Sequence, residues 1–518
     1  MSINWVALGV FIAFFLLVTV LGFVAARWRA GDLAQLHEWG LAGRRFGTII
    51  TWFLLGGDFY TAYTVIAVPA AVFGTGAAGF FALPYTIIVY PIVFMIMPRL
   101  WNVAKRHNYV TPADFVRGRY GSDLLALAVA LTGILALMPY IALQLVGIQV
   151  VLQAMGLRGI GFMSDAPIVI AFLILAAYTY TSGLRAPAMI ALVKDTMIYT
   201  FVIVVVIAAP IKLGGYAHIF QVAQAHFAAN PASGSVILGP KGYWPFATLA
   251  LGSALAAFMY PHTITGVLSA STGNVVKRNA ALLPAYTFLL GLIALLGYVA
   301  IAAGLHPATT SLAVPVLLNA LFPSWFAGFA FAAIAIGALV PAAIMSIAAA
   351  NLWTRNIYKA YLRPDVSEAG EASMAKIASL IVKLGALAFV IGIPTQYAIN
   401  LQLLGGIWII QTFPAIAFGL YRRWFHHLAL LWGWLAGMGI GTWMSFTQGV
   451  KPTFPLGGVT AYIGVESLIV NLIVAVVLTL LFDAMHLPRH RDETVDTEYE
   501  IEPEIVRPTT TLGTSQPV

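Results

Sequence analysis

Hydrophobic residues in this chain neither alternate nor recur on one helical face. They fill continuous runs of about 20 residues, separated by short polar stretches. A run of that length, apolar all round, matches a helix crossing a hydrocarbon core about 30 Å thick. Thirteen such runs can be placed, at about 4–26, 47–75, 79–98, 122–155, 165–183, 187–211, 246–270, 280–304, 326–356, 377–394, 397–419, 428–448 and 461–482. The short alternating segments of a membrane β-barrel are not the pattern here. The expected fold class is an all-α polytopic membrane protein of about 13 transmembrane helices.

Composition agrees. Of 518 residues, 61% are hydrophobic and 9% charged, where soluble domains carry about 25% charge. The mean hydropathy is +0.90, so a soluble enzyme is excluded. With no cysteine, disulfides, thiolate metal sites and cysteine nucleophiles are excluded as well. The net charge of +8 would suit nucleic acid until its placement is read. Starting from an outside N-terminus, the predicted outer loops hold only Arg158, Lys212, Lys241 and Lys451 of the 27 basic residues, and Lys194 and Lys383 fall within spans. The rest sit in the inner loops and the C-terminal tail, as the positive-inside rule requires. The charge therefore orients the chain in a membrane, and a nucleic-acid partner is dropped. The leader MSINW carries no positive charge and Arg27 and Arg29 follow the first run, so that run reads as an uncleaved helix and not as a signal peptide. Residues 1–485 form the membrane domain. Residues 486–518, with Asp492, Glu493, Asp496, Glu498, Glu500, Glu502 and Glu504 among Thr and Pro, read as a disordered acidic cytoplasmic tail. The chain has no Walker A motif, which argues against ATP-driven transport.

Two runs are unfit as continuous helices. Span 2 contains Gly56-Gly57-Asp58 and Pro69; span 7 contains Gly252, Ser253, Pro261 and Gly266. Backbone groups freed in mid-membrane are tolerated where they line a cavity or are buried in protein. Interrupted helices in corresponding halves point to the substrate site of a secondary transporter, ordinary kinks being the plain alternative. The five-span separation suggests inverted repeats, 47–211 and 246–419, with span 1 and residues 428–482 peripheral. Ionisable residues at membrane depth are Asp58, Lys194, Asp195, Lys383 and Glu466. Asp58 sits at the break of span 2, suited to bind a cation, take a proton or cap a half-helix. Lys194 and Asp195 point about 100° apart on a helix, so they need not pair. Lys383 and Glu466 lie close enough to span ends to snorkel.

Four segments together resemble the sodium/solute symporter family, which contains proline, pantothenate and sugar symporters. They are the VPAAVFGTG end of span 2, TSGLRAPAMIALVKD with Asp195, the pair Pro261-His262, and TRNIYKAYLRP after span 9. The resemblance covers roughly residues 4–485 and implies a LeuT-like five-plus-five inverted-repeat core. WFLLGGDFYTAYT and PYIALQLVGIQ are most similar to bacterial monocarboxylate permeases, implying uptake of pyruvate, lactate and similar acids across a bacterial inner membrane. The family holds sodium with carbonyls of the first broken helix and hydroxyls of the helix matching span 9. That implies an ion site at Gly57, Asp58 and Tyr60, with Gly337 at a further carbonyl position. Val340 and Pro341 stand where the hydroxyls belong, and neither offers a side-chain oxygen. Lys194 beside Asp195, on the helix that approaches this site in the fold, is therefore expected to replace the sodium ion, with proton coupling or none. The rival is sodium held by Asp58 and Asp195 in a rearranged site.

A small carboxylate at the midplane needs donors. Side chains expected at the cavity are Tyr60, Thr64, Tyr140, Gln144, Tyr260, His262, Thr263, Trp408 and Gln411. The membrane supplies lipid as the other partner, and no cofactor is implied beyond a coupling proton or sodium ion. Two other classes stay open: a sodium-coupled symporter of an amino acid, sugar or vitamin, and a membrane sensor domain. An embedded enzyme is disfavoured, because the few intramembrane ionisable residues form no metal cluster or nucleophile–base pair by spacing.

Overall fold

The computed structural model describes residues 3–28, 31–157, 162–392 and 398–500. Arg29, Arg158 and the tail from 501 lie outside them. In chain order the helices are α1 (Trp5–Val24), α2 (Leu36–Leu41), α3 (Thr48–Phe59), α4 (Tyr63–Thr75), α5 (Ala82–Arg106), α6 (Pro112–Tyr120) and α7 (Asp123–Ala154). Then come α8 (Phe162–Ser182), α9 (Arg185–Lys212), α10 (Tyr216–Ala229), α11 (Pro240–Ala257), α12 (Pro261–Leu268), α13 (Gly273–Leu282) and α14 (Pro284–Ala302). The chain continues with α15 (Ala313–Leu321), α16 (Ser324–Trp353), α17 (Glu368–Gly392), α18 (Ala398–Ile409) and α19 (His427–Thr447). It closes with a hairpin of β1 (Thr453–Leu456) and β2 (Val459–Tyr462), and α20 (Ile463–Ala484). A helix stands at each expected span. Among the described residues, seven single helices are long and apolar enough to cross a membrane, and two bent pairs bring the number to nine.

The bent pairs are the two spans that glycine and proline marked: α3–α4 turns by 45° and α11–α12 by 48°. The first break falls at Tyr60–Ala62, beyond Gly56-Gly57-Asp58, so Asp58 remains on the last turn of α3. The second break lies just before Pro261, whose missing N–H and fixed φ suit the first position of α12.

Helix α16 is the axis of the bundle. Its alanine-rich middle, Ala330 to Ala350, is buried throughout, and small side chains let α1, α7, α9, α12 and α17 pack close against it. Peripheral α1 and α20 instead expose Leu16, Val20, Ile473 and Val477, as lipid-facing helices do.

At one end of the bundle the loops are locked together. Phe46 N–H donates to Ser269 O (3.2 Å), and Ser271 N–H donates back to Phe46 O (2.8 Å), joining the approach to α3 with the end of α12. Glu38 holds Arg185 and Arg45, each at 2.5 Å. Helix α6 starts on a Thr111–Asp114 capping box with Pro112 behind it, and Asp114 also accepts from Asn356 (2.7 Å).

Two expectations are corrected here. Residues 488–500 are not a disordered tail: they lie against this locked end, with Tyr499 1% exposed. Composition sees few apolar groups in that stretch, but not that one tyrosine and its acidic neighbours meet a ready-made basic surface. Lys383 does not snorkel. It is 1% exposed and donates to Ser379 Oγ (2.7 Å), one turn away on α17. The helix runs far enough past it on both sides that its head stays among packed helices. Glu466 lies in the first turn of α20, as expected for a residue near a span end.

Candidate functional site

Two clusters form at the breaks. The first surrounds Lys194, on α9 and 0% exposed. Where α3 unwinds, its last carbonyls lose their helical donors, and Lys194 Nζ fills the gap. It donates to Gly57 O (2.5 Å) and Tyr60 O (3.2 Å) and pairs with Asp195 Oδ1 at 2.8 Å. The two neighbours do pair, contrary to their backbone directions, because the flexible lysine stem carries the ammonium back over the carboxylate. Asp195 Oδ2 accepts from Tyr286 OH (2.9 Å), and Tyr60 OH donates to Tyr286 O (2.8 Å). A Cβ at Gly337 would stand 3.8 Å from Tyr60 O and 3.2 Å from Ile198, so α16 passes the cluster at a residue without a side chain. Val340 and Pro341 are buried on the same helix. An ammonium between two carbonyls and a carboxylate is held as a bare cation would be, by hard oxygens.

The second cluster lines a small cavity of about 50 Å³ between the breaks. Asp58 belongs here and not to the lysine cluster: its Oδ2 lies 3.3 Å from His262 Nε2, on the opposite broken helix. His262 is packed by Tyr140 (5.4 Å) and Tyr260 (5.3 Å). Asp58 Oδ1, His262 Nδ1, Ser253 Oγ and Gln402 Oε1 are buried at this cavity with no hydrogen-bond partner among the described residues. Buried polar atoms are rarely left so, and four around one cavity mark a place for a polar ligand. The first turn of α12, whose N–H groups precede any intrahelical acceptor, adds donors with a positive dipole end.

Residues 39–437 match the Sodium:solute symporter family. The chain belongs to that family. It is a membrane transporter and not an enzyme. Over 488 residues it is 60% identical to the "Monocarboxylate transport permease protein" of Rhizobium johnstonii, covering 93% of this chain and 98% of the relative. It is 35% identical to the "Uncharacterized symporter YodF" of Bacillus subtilis, covering 92% of this chain and 94% of that one. At 23% identity it is also similar to the Sodium/proline symporter of Staphylococcus aureus, with 92% of each chain covered. Its fold is shared with a Na+-coupled sialic acid symporter solved in a substrate-bound outward-open state, at a TM-score of 0.76 and 14% identity, covering 94% of this chain and 98% of the other. These neighbours make the architecture LeuT-like.

Within this symporter, the residues expected at the cavity divide. Tyr140, Tyr260, His262 and Thr263 line it. Tyr60 is turned to Tyr286 and the lysine cluster. Gln144 is spent on the break, where its Oε1 accepts from Ala62 N–H (3.0 Å), and Thr64 Oγ donates to Phe59 O on the other side of it. Trp408 donates to Thr442 Oγ (3.0 Å). Gln411 donates to Ser467 Oγ (2.9 Å) and accepts from Asn471 (3.1 Å), tying the turn after α18 to α20. Sequence reading missed Tyr63, Tyr85, Ser253, Gln402 and Tyr462. Ser253 was visible beside Gly252 in a broken span; Tyr462, at the hairpin's end, carried no signal.

Proposed function

We propose that this symporter imports small monocarboxylates such as pyruvate and lactate by alternating access, and that Lys194 takes the place of a sodium ion. One observation carries the substrate half: a small cavity between two helix breaks, lined by unpartnered polar atoms and tyrosines, in a chain 60% identical to a protein named as a monocarboxylate permease. A carboxylate is matched there by the first turn of α12 and the Ser253 hydroxyl. Among the described residues no arginine lines the cavity, so a second carboxylate would lack a strong anchor.

The lysine supports the coupling half. Its ammonium lies on Gly57 O and Tyr60 O, the carbonyls at which the family resemblance puts the ion, and span 9 offers Val340 and Pro341 where hydroxyls would complete a sodium shell. The rearranged sodium site is disfavoured, because Asp58 faces His262 and Asp195 is taken by Lys194 and Tyr286. Import then runs with a proton gradient or without coupling. The reading includes thirteen spans, repeats 47–211 and 246–419, an outside N-terminus, and a bacterial inner membrane.

Counterflow in proteoliposomes against pyruvate, lactate, acetate, proline and glucose, followed by uptake under separate sodium and proton gradients, tests both halves. Exchange confined to the monocarboxylates, indifferent to sodium, is expected. Selective exchange of proline or glucose overturns the substrate, and uptake driven only by sodium overturns the lysine.

A further inference from the structure

The acidic segment after α20 is part of the built structure, and its contacts join three places at the locked end of the bundle. At the end of α5, His107 Nε2 lies 2.8 Å from Glu498 Oε2, and Asn102 donates to Glu500 O (2.6 Å). At α6, Arg119 pairs with Asp492 (2.8 Å) and donates to Thr494 Oγ (3.1 Å), while Glu493 N–H donates to Gly118 O (2.9 Å). In the link between α18 and α19, Arg423 donates to His490 O, and its Nε lies 3.8 Å from Asp492. Tyr499 plugs the middle. Its ring meets Phe115 edge-on at 6.4 Å and lies under the Arg99 and Arg119 guanidinium groups, at 5.6 and 5.1 Å. Meanwhile two residues lining the cavity, Tyr85 and Tyr462, sit in the other half of the bundle. Tyr85 opens α5, whose far end carries His107, and Tyr462 precedes α20, whose far end leads into the segment.

We propose that residues 489–500 are a latch on the closed face: they hold α5, α6 and the α18–α19 link together, and must let go before that face can open. The inference rests on the alternating-access part of the proposed function and not on its substrate. If that face opens during transport, the elements that cover it have to separate, and one strand of chain bonded to three of them resists in proportion to its contacts. The ion pairs lie at the rim of the bundle, where each carboxylate keeps some exposure to water; pairs that water still reaches each add little, so the latch can release in each cycle. A stretch that merely covered the surface would affect stability alone. A latch also changes how often the face is open.

The chain has no cysteine, so a single Ser269→Cys reports on that face. Ser269 is fully buried there, and its carbonyl accepts from Phe46 N–H. Labelling by a membrane-impermeant maleimide from the latch side, without substrate, is compared in three chains: otherwise native, Asp492→Asn with Glu498→Gln, and terminated after Leu487. The neutralised latch should label about two- to fivefold faster, the factor one or two such ion pairs supply, and the terminated chain faster still. In a second chain, His107→Cys and Glu498→Cys are bridged by a reducible bifunctional thiosulfonate. Uptake should stop on bridging and return on reduction. Unchanged labelling with the latch neutralised, or uptake that survives bridging, overturns the proposal. Because labelling uses no substrate, an error in the monocarboxylate reading leaves this result intact.

Discussion

Lys194 is a cation that cannot leave, fixed where the first broken helix presents two carbonyls. Removing one partner of a buried pair strands the other, at a cost of about 3–5 kcal/mol. Lys194→Ala should therefore lower the thermal midpoint sharply by leaving Asp195 alone beside Gly57 O and Tyr60 O. It also empties a cage of hard oxygens that a small cation fits. Sodium should then raise the midpoint of the variant, as any ligand of the folded state does, and leave that of the native chain where it was. A native midpoint that rises equally with sodium would place the ion elsewhere and sink the lysine reading. Adjacency of Lys194 and Asp195 was plain in the sequence. Their pairing was not, because helical direction fixes where Cβ points and leaves free where a four-carbon stem ends.

At the scale of elements, glycine and proline told which spans break but not at which residue. The first break settled three to five residues beyond the glycine pair, where side chains from elsewhere can satisfy the freed backbone. Gln144 shows why five of the nine expected cavity residues stand elsewhere. It shares a helix face with Tyr140, yet one turn of rise carries its amide to Ala62 N–H while the tyrosine ring stays at the cavity. A hydrophobic Gln144→Leu leaves that buried N–H unsatisfied, costing about 1–3 kcal/mol. Because the group sits at the hinge of α3 and α4, the substitution should lower the maximal rate of counterflow more than it weakens substrate competition. Gln144→Glu keeps an acceptor in place and should recover much of the loss. Equal damage from both would assign Gln144 to the substrate itself. The same limit hid the latch: its residues are acidic and sparse in apolar groups, and their partners lie more than 60 residues away in sequence.

Across the whole molecule, the placement of basic residues and the geometry lead to one arrangement. Loops predicted inside by charge, around 99–119, 355–363 and 422–423, gather at the end that the latch covers; Lys451, predicted outside, stands at the other just before the hairpin. A helix missed early in the chain would have put alternate loops on opposite faces. Which face meets the cytoplasm is directly measurable, because the chain has no native cysteine. Ala232→Cys, in the exposed link between α10 and α11, and Ala369→Cys, at the exposed start of α17, belong to opposite faces. On intact cells an impermeant maleimide should modify the first variant readily and the second only after the membrane is opened. The reverse pattern would invert the whole assignment, turning the latch outward and leaving the basic loops against the rule that placed them. Labelling of both from one side would mean an odd number of crossings had been miscounted between them, and the five-plus-five repeat would fall with it.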